Sequence, residues 1–382
     1  MASLRNRVQK IFNRLSKNNL IYVIYFEHEK KGINKSFQLK KNLYLCKPPT
    51  FFVKNKLIFY ILNGISFFNY INKMIKKYKI DILVSTNFLF SPLLSLSARI
   101  NKIPFVFDLV DYQPYHIYYM TFLPLLVRKI GIYFLSYLLD YDIFHADYII
   151  TTGIPLYKYA KRIKSSKVKI ISNGVDLKLF NPAVNGTNIK KKYNLNELTL
   201  CFIGALEYWI DYDYLFESLA LIRKDYPTAK LVLIGPSIYY GFNKIKNIAK
   251  RYNVEKNLIF TKCISYNLLP AYIKACDICL MPFTRNYLTE CAIPMKIFEY
   301  LACRKPVISV SLAGIKSIFK DAIFYADTPK ELKNVIKSIL TNSKEYENKI
   351  NKSKLIIEKY TWDDLSLQFE EVFKSLVLNS NN

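Results

Sequence analysis

Acidic residues are scarce in this chain: 29 Asp and Glu stand against 56 Lys and Arg in 382 residues, leaving a formal net charge of +27. Long apolar runs are absent as well. No segment reaches the roughly 18–20 uninterrupted apolar residues that span a bilayer, and the opening MASLRNRVQKIFNRL carries charges where a signal peptide has its apolar stretch. A cytoplasmic protein without a spanning helix is the expectation. Cysteine is sparse and unpatterned, with seven residues scattered through apolar runs. Only Cys276-Asp-Ile-Cys279 has a metal-like spacing, and it falls in an apolar run that reads as a buried strand, so neither a zinc site nor a disulfide framework is expected. The absence of any repeat with a period of about 20–50 residues excludes a solenoid.

What is present is apolar and aromatic material: 51% hydrophobic and 15% aromatic residues, enough to bury the cores of two ordinary domains and too much for a disordered chain. The positive charge is uneven. Residues 1–79 hold seventeen basic residues against Glu27 and Glu29 alone, a balance of +15. Such a field favours anionic partners, whether phospholipid, lipid-linked phosphate or nucleic acid; a lysine-rich proteome produces the same count.

Short β-rich runs alternate with amphipathic helical patterns, the mark of parallel sheets built from βαβ units. In the first half the strands read as Leu20–Phe26, Asn42–Cys46, Ile80–Ser85, Pro104–Asp108, Tyr148–Thr152 and Lys167–Ser172. The polar stretch 173–197, with Gly174, Pro182 and Gly186, reads as an interdomain linker. Alternation then restarts with Leu198–Gly204, Ala229–Gly235, Leu258–Thr261, Ile278–Pro282 and Pro306–Val310. Residues 1–172 and 198–360 are thus expected as two α/β domains, and 361–382 as a C-terminal helix with an apolar stripe at Leu365, Phe369, Val372, Phe373 and Leu376, packing back on the first domain. The segment 117–146 is apolar and aromatic nearly all round, interrupted by Pro124, Arg128, Lys129 and Gly131. It reads either as a long buried helix with a kink or as an interfacial element whose aromatic face enters lipid.

The stretch Pro294-Met-Lys-Ile-Phe-Glu-Tyr-Leu-Ala302 is the most informative chemically. Proline starts a helix whose free N–H groups suit an anion, and Lys296 and Glu299 share a face three residues apart. The lysine can balance a diphosphate leaving group and the carboxylate can hold two ribose hydroxyls; an ordinary surface ion pair has the same spacing. Glu290 lies in the loop after Ile278–Pro282, where parallel sheets present ligand residues. Gly204 ends a strand and permits close approach to the backbone, and Asp211 or Asp213 can cap the next helix. In the first domain Asp108 and Asp111 stand at a strand end, where either can take a proton from an acceptor hydroxyl or cap the following segment.

In this order the pieces resemble the family 4 (group 1) glycosyltransferases over residues 4–375: Ile-Ser-Asn173-Gly174-Val-Asp176 through Phe180-Asn-Pro182, the Gly204 loop, Ala275-Cys-Asp277, and Pro294–Ala302 running into Lys305-Pro306-Val307-Ile308. The resemblance implies a GT-B fold, with two Rossmann-like domains, a cleft between them and a C-terminal helix crossing back. It implies transfer of a sugar from a nucleotide-sugar donor to a glycan or lipid-linked acceptor at the membrane face, with no cofactor and no metal. Residue by residue it assigns Glu299 to the ribose, Lys296 to the diphosphate and Gly204 to the donor; Asp111 and Glu290, read from their places after strand ends, are the candidate catalytic carboxylates. An anionic membrane surface is the expected partner and nucleic acid is not; a nucleotide-sugar 2-epimerase and a basic binding protein with a degenerate site are the competing readings. The chain departs from the family where Glu290 stands one position early, where Glu207-Tyr-Trp209-Ile-Asp211 replaces a basic pair, where Arg304 occupies a usual glycine position, and where a helix precedes the first strand.

Overall fold

The computed structural model describes residues 7–25, 37–51, 53, 56–86, 89–119, 123–164 and 167–380. Residues 26–36, with Glu27 and Glu29, and residues 1–6 and 120–122 of the segments singled out above lie outside that description. The chain forms two compact units, Met1–Ser172 with Trp362–Asn382 and Asn173–Thr361.

The first unit contains α1 (Arg7–Leu15), β1 (Ile21–Ile24), β2 (Phe37–Lys40), β3 (Leu43–Cys46), α2 (Lys56–Tyr78), β4 (Leu83–Thr86), α3 (Ser91–Asn101), β5 (Phe105–Leu109), α4 (Leu125–His145), β6 (Tyr148–Thr151), α5 (Ile154–Ile163) and β7 (Val168–Ile170). Strands β4-β5-β6-β7 form a parallel sheet in sequential order. The short strands β1 and β2 flank β3, parallel and antiparallel respectively. Asn42 makes the β2–β3 turn at φ 63°, a conformation Asn tolerates better than most residues. Because β2 is a four-residue arm of a hairpin and carries no βαβ alternation, it left no mark in the sequence pattern.

In the second unit, α6 (Thr187–Tyr193) precedes β8 (Thr199–Ile203), α7 (Tyr212–Ile222), β9 (Lys230–Ile234), α8 (Phe242–Arg251), β10 (Leu258–Lys262), α9 (Leu269–Ala275) and β11 (Ile278–Met281). There follow α10 (Tyr287–Cys291), α11 (Met295–Ala302), β12 (Val307–Ser309), α12 (Ala313–Phe319), β13 (Phe324–Tyr325), α13 (Pro329–Thr341) and α14 (Ser343–Ile357). All six strands run parallel in the order β10-β9-β8-β11-β12-β13. The central strands β8, β11 and β12 are buried on both faces, the near-continuous apolar runs that a doubly covered parallel sheet requires. The order reverses between β8 and β11, so the crevice outside the carboxyl ends of those two strands is where such a sheet binds ligands.

The stretch 173–197, expected as the interdomain linker, groups with the second unit. Val175 bridges Thr361, and Val175, Phe180 and Leu195 are buried in the unit's core. Apolar anchors at these three positions outweigh the turn residues between them. The last described element is α15 (Trp362–Ser380), which belongs to the first unit and buries Trp362, Leu365, Phe369, Val372 and Leu376, with α1 against it. Arg304 takes φ 53° at the end of α11, as its place in the sequence implied. Cys201, Cys276 and Cys279 are buried free thiols. Among the described residues no helix is long and apolar enough to cross a membrane.

Candidate active site

Helix α11 is fixed to the sheet by its apolar face. Ile297, Phe298, Tyr300 and Leu301 are buried, and the Tyr300 hydroxyl accepts the N–H of Ile203, the last residue of β8, at 2.8 Å. Docked this way, the helix presents Lys296 and Glu299 at the carboxyl end of β8. The Lys296 ammonium stands 4.4 Å from the ring centre of Phe202 and 5.4 Å from that of Phe283, a cation–π cage with no ion-pair partner among the described residues. Desolvation pushes its pKa down to about 8, and the nearby Glu299 pulls it partly back up. Glu299 is buried and accepts the Tyr266 hydroxyl at 2.8 Å.

Bare backbone faces this lysine. Gly204 has φ +144°, and a Cβ there would overlap the Lys296 ammonium. At the end of the neighbouring strand Gly235 has φ +145°, and its Cβ would overlap the Gly204 carbonyl oxygen. Both backbones lie in a region closed to L side chains, so each strand can end here only in glycine. Glu207 ties the two glycine loops together: its buried carboxylate accepts the backbone N–H groups of Ile238 at 2.5 Å, Tyr239 at 3.1 Å and Tyr240 at 2.9 Å. The acidic loop that departs from the family pattern is therefore a clasp, and Asp211 caps α7 by accepting Tyr214 N–H at 2.9 Å.

Three of the five residues singled out in the sequence, Gly204, Lys296 and Glu299, come together here. Glu290 is engaged elsewhere: one oxygen accepts Ala313 N–H at 2.6 Å at the start of α12 and the other stands 3.5 Å from Arg285. The carboxylate expected to be catalytic braces the neighbouring helix, because Gly314 brings that helix start against the backbone of residues 290–292. Asp111 belongs to the first unit, just past the end of β5. Burial raises its pKa to about 6 despite the lowering field of Arg7. Asp108, the other strand-end aspartate, is taken up by a two-point ion pair with Arg7, with Nε–Oδ2 at 3.0 Å and Nη2–Oδ1 at 3.1 Å. Arg7 also donates to the carbonyls of Ile171 and Ser172.

Sequence reasoning missed Gly235, Phe202, Phe283 and Tyr266. Gly235 ends a strand just as Gly204 does, and the same rule applied twice would have found it. The aromatic cage and Tyr266 come from separate elements, and no local pattern points to them.

Residues 186–373 match the family model of the glycosyl transferases group 1, a span that contains the whole Gly204, Lys296 and Glu299 cluster. Over this stretch the chain resembles the group 1 glycosyl transferases. The uncharacterized glycosyltransferase MJ1069 of Methanocaldococcus jannaschii is 21% identical over 239 residues, covering 61% of this chain and 59% of that protein. The chain spans between 38% and 63% of the lengths of the curated relatives it matches. Among solved structures, sucrose-phosphate synthase of Thermosynechococcus elongatus superposes with a TM-score of 0.75 at 15% identity, covering 97% of this chain and 92% of that one. HepE of Anabaena in complex with UDP-glucose gives 0.68 at 16% identity over 82% and 84% of the two chains. At such identities the likeness speaks for the fold, which is GT-B.

Proposed function

We propose that this chain is a glycosyltransferase that takes a sugar from a nucleotide-sugar donor held by its second unit and passes it to a glycan or lipid-linked acceptor at the cytoplasmic membrane face. The observation that carries this reading is the Lys296 ammonium, without an ion-pair partner among the described residues, set over the bare Gly204 backbone, with Glu299 on the same helix, at the switch point of a parallel sheet. A diphosphate brought against Gly204 meets a desolvated cation that has no ion-pair partner among the described residues, so charge developing on the leaving group is stabilised without reorganisation. Glu299, steadied by Tyr266, is suited to accept ribose hydroxyls. The likeness to HepE, solved with UDP-glucose, supports a nucleotide-sugar donor.

The first unit, residues 1–172 with the returning C-terminal helix, is the acceptor side in this reading, and Asp111 is its base. A carboxyl group with a pKa near 6 is deprotonated at neutral pH yet basic enough to draw a proton from a sugar hydroxyl. Glu290 contributes by bracing the start of α12 through the Ala313 N–H. Isothermal titration of nucleotide sugars, with UDP-glucose as the first probe, tests the donor site: Lys296→Ala and Glu299→Ala should each weaken binding by about 10- to 100-fold, the loss of a charge-assisted contact. Near-normal donor binding and turnover in both variants would overturn the assignment.

A further inference from the structure

Across the first unit α2 packs on α3 and α3 on α4, forming one helical layer. Its outward side is apolar. On α4, Leu126, Ile130, Tyr133 and Tyr137 recur at the spacing of one helical face, the spacing that ordinarily marks a core stripe, yet Tyr133 is 78% exposed and Leu126 69%. Helix α2 adds Ile58, Leu62 and Ile65 at the same spacing, with Ile65 75% exposed, and α3 adds Ile100. A patch spread over three adjacent helices is too large to be the scattered surface hydrophobics of a free monomer.

Charge decides what covers it. Helices α2 and α3 contain no acidic residue. Helix α4 contains Asp140, which accepts the Tyr159 hydroxyl, and Asp142, which is buried. Beyond the apolar part of α2 come exposed Lys73, Lys76 and Lys77, and Lys129 is exposed on α4. Where α3 and α4 end, beside exposed Phe144, Arg99, Lys102, His145, Lys164 and Lys167 line a recess of about 690 Å³ whose lining includes one acid, Asp147. A second copy of this chain would set these cations against their own kind. A surface of anionic headgroups over acyl chains satisfies both the charge and the apolar side chains.

We infer that the α2–α3–α4 face docks on an anionic phospholipid bilayer, with the α4 aromatic side chains at the headgroup–acyl boundary and lipid phosphates at the basic recess. The docking stands on these observations alone. Its purpose, holding the acceptor side at a surface that carries lipid-linked acceptors, rests on the glycosyltransferase reading. Co-sedimentation of the full chain with vesicles of phosphatidylcholine, alone or with about one third phosphatidylglycerol, tests it. Binding should be about tenfold stronger with the anionic vesicles and should weaken with salt. The exposed double variant Phe134→Asp/Tyr137→Asp should abolish it, and Arg99→Glu/Lys102→Glu should erase the preference for anionic lipid. UDP-glucose titration of the same variants should be unchanged, which separates a failed docking face from a failed donor site. Equal binding to both vesicles, binding indifferent to the α4 variant, or a dimer in sedimentation equilibrium that the α4 variant dissolves would each overturn the inference.

Discussion

Lys296 shows what a single residue costs and does. Its pKa falls from 10.5 to about 8 because the ammonium is desolvated beside two aromatic rings. Below pH 8 the folded protein must carry that charge, so the side chain works against folding there. Between pH 8 and 10.5 the folded state has released the proton while the unfolded chain still holds it, and stability rises with pH through that window as the penalty is relieved. Lys296→Met, similar in volume and uncharged, should therefore raise stability at pH 7 by roughly 1–3 kcal/mol while weakening donor binding. The same titrations predict the pH profile of kcat/KM. It should rise through about 6 as Asp111 loses its proton and fall through about 8 as Lys296 does. Steady-state kinetics across that range checks both limbs, and the alkaline limb should vanish in Lys296→Met.

At the scale of elements, the site depends on how loops after adjacent strands are held. Gly204 follows β8 and Gly235 follows β9, and the Glu207 carboxylate joins the two loops through three N–H groups. Glu207→Gln keeps the shape but loses the charge and one acceptor oxygen, so it should cost about 1–3 kcal/mol of stability and weaken donor binding by loosening the glycine loops. Asp211→Ala, which removes only the cap of α7, should cost about 1 kcal/mol and leave donor affinity near normal. Thermal denaturation paired with donor titration separates the two; equal effects of both substitutions on donor affinity would show that Glu207 has no special hold on the site. Element types were largely legible in the sequence because strand and helix periodicities are local. The hairpin strand β2 and the two-residue strand β13 were not, since neither is long enough to show a period.

The whole molecule introduces contacts that no window of sequence contains. Arg7, on a helix that the family resemblance did not anticipate, reaches Asp108 across 101 residues, donates to carbonyls more than 160 residues away, and lies 5.1 Å over the ring of Phe369. It thereby joins α1, the end of β5 and the returning helix α15 within one unit. Arg7→Ala strands a buried carboxylate and should destabilise the protein by about 3–5 kcal/mol, while Arg7→Met/Asp108→Leu should recover most of that loss in the same urea titration. Local pattern was enough for the βαβ alternation, the family resemblance, and Gly204, Lys296 and Glu299 as one candidate site, because glycine at a strand end and charges three apart on a helix are local facts. Folding in three dimensions was needed to show that Asp108 is consumed by Arg7, that Glu290 braces α12, that Tyr266 steadies Glu299, and that apolar side chains of α4 face outward. Each of these depends on what one element meets on another, and that partner is set by packing across distances over which the chain carries no periodic signal.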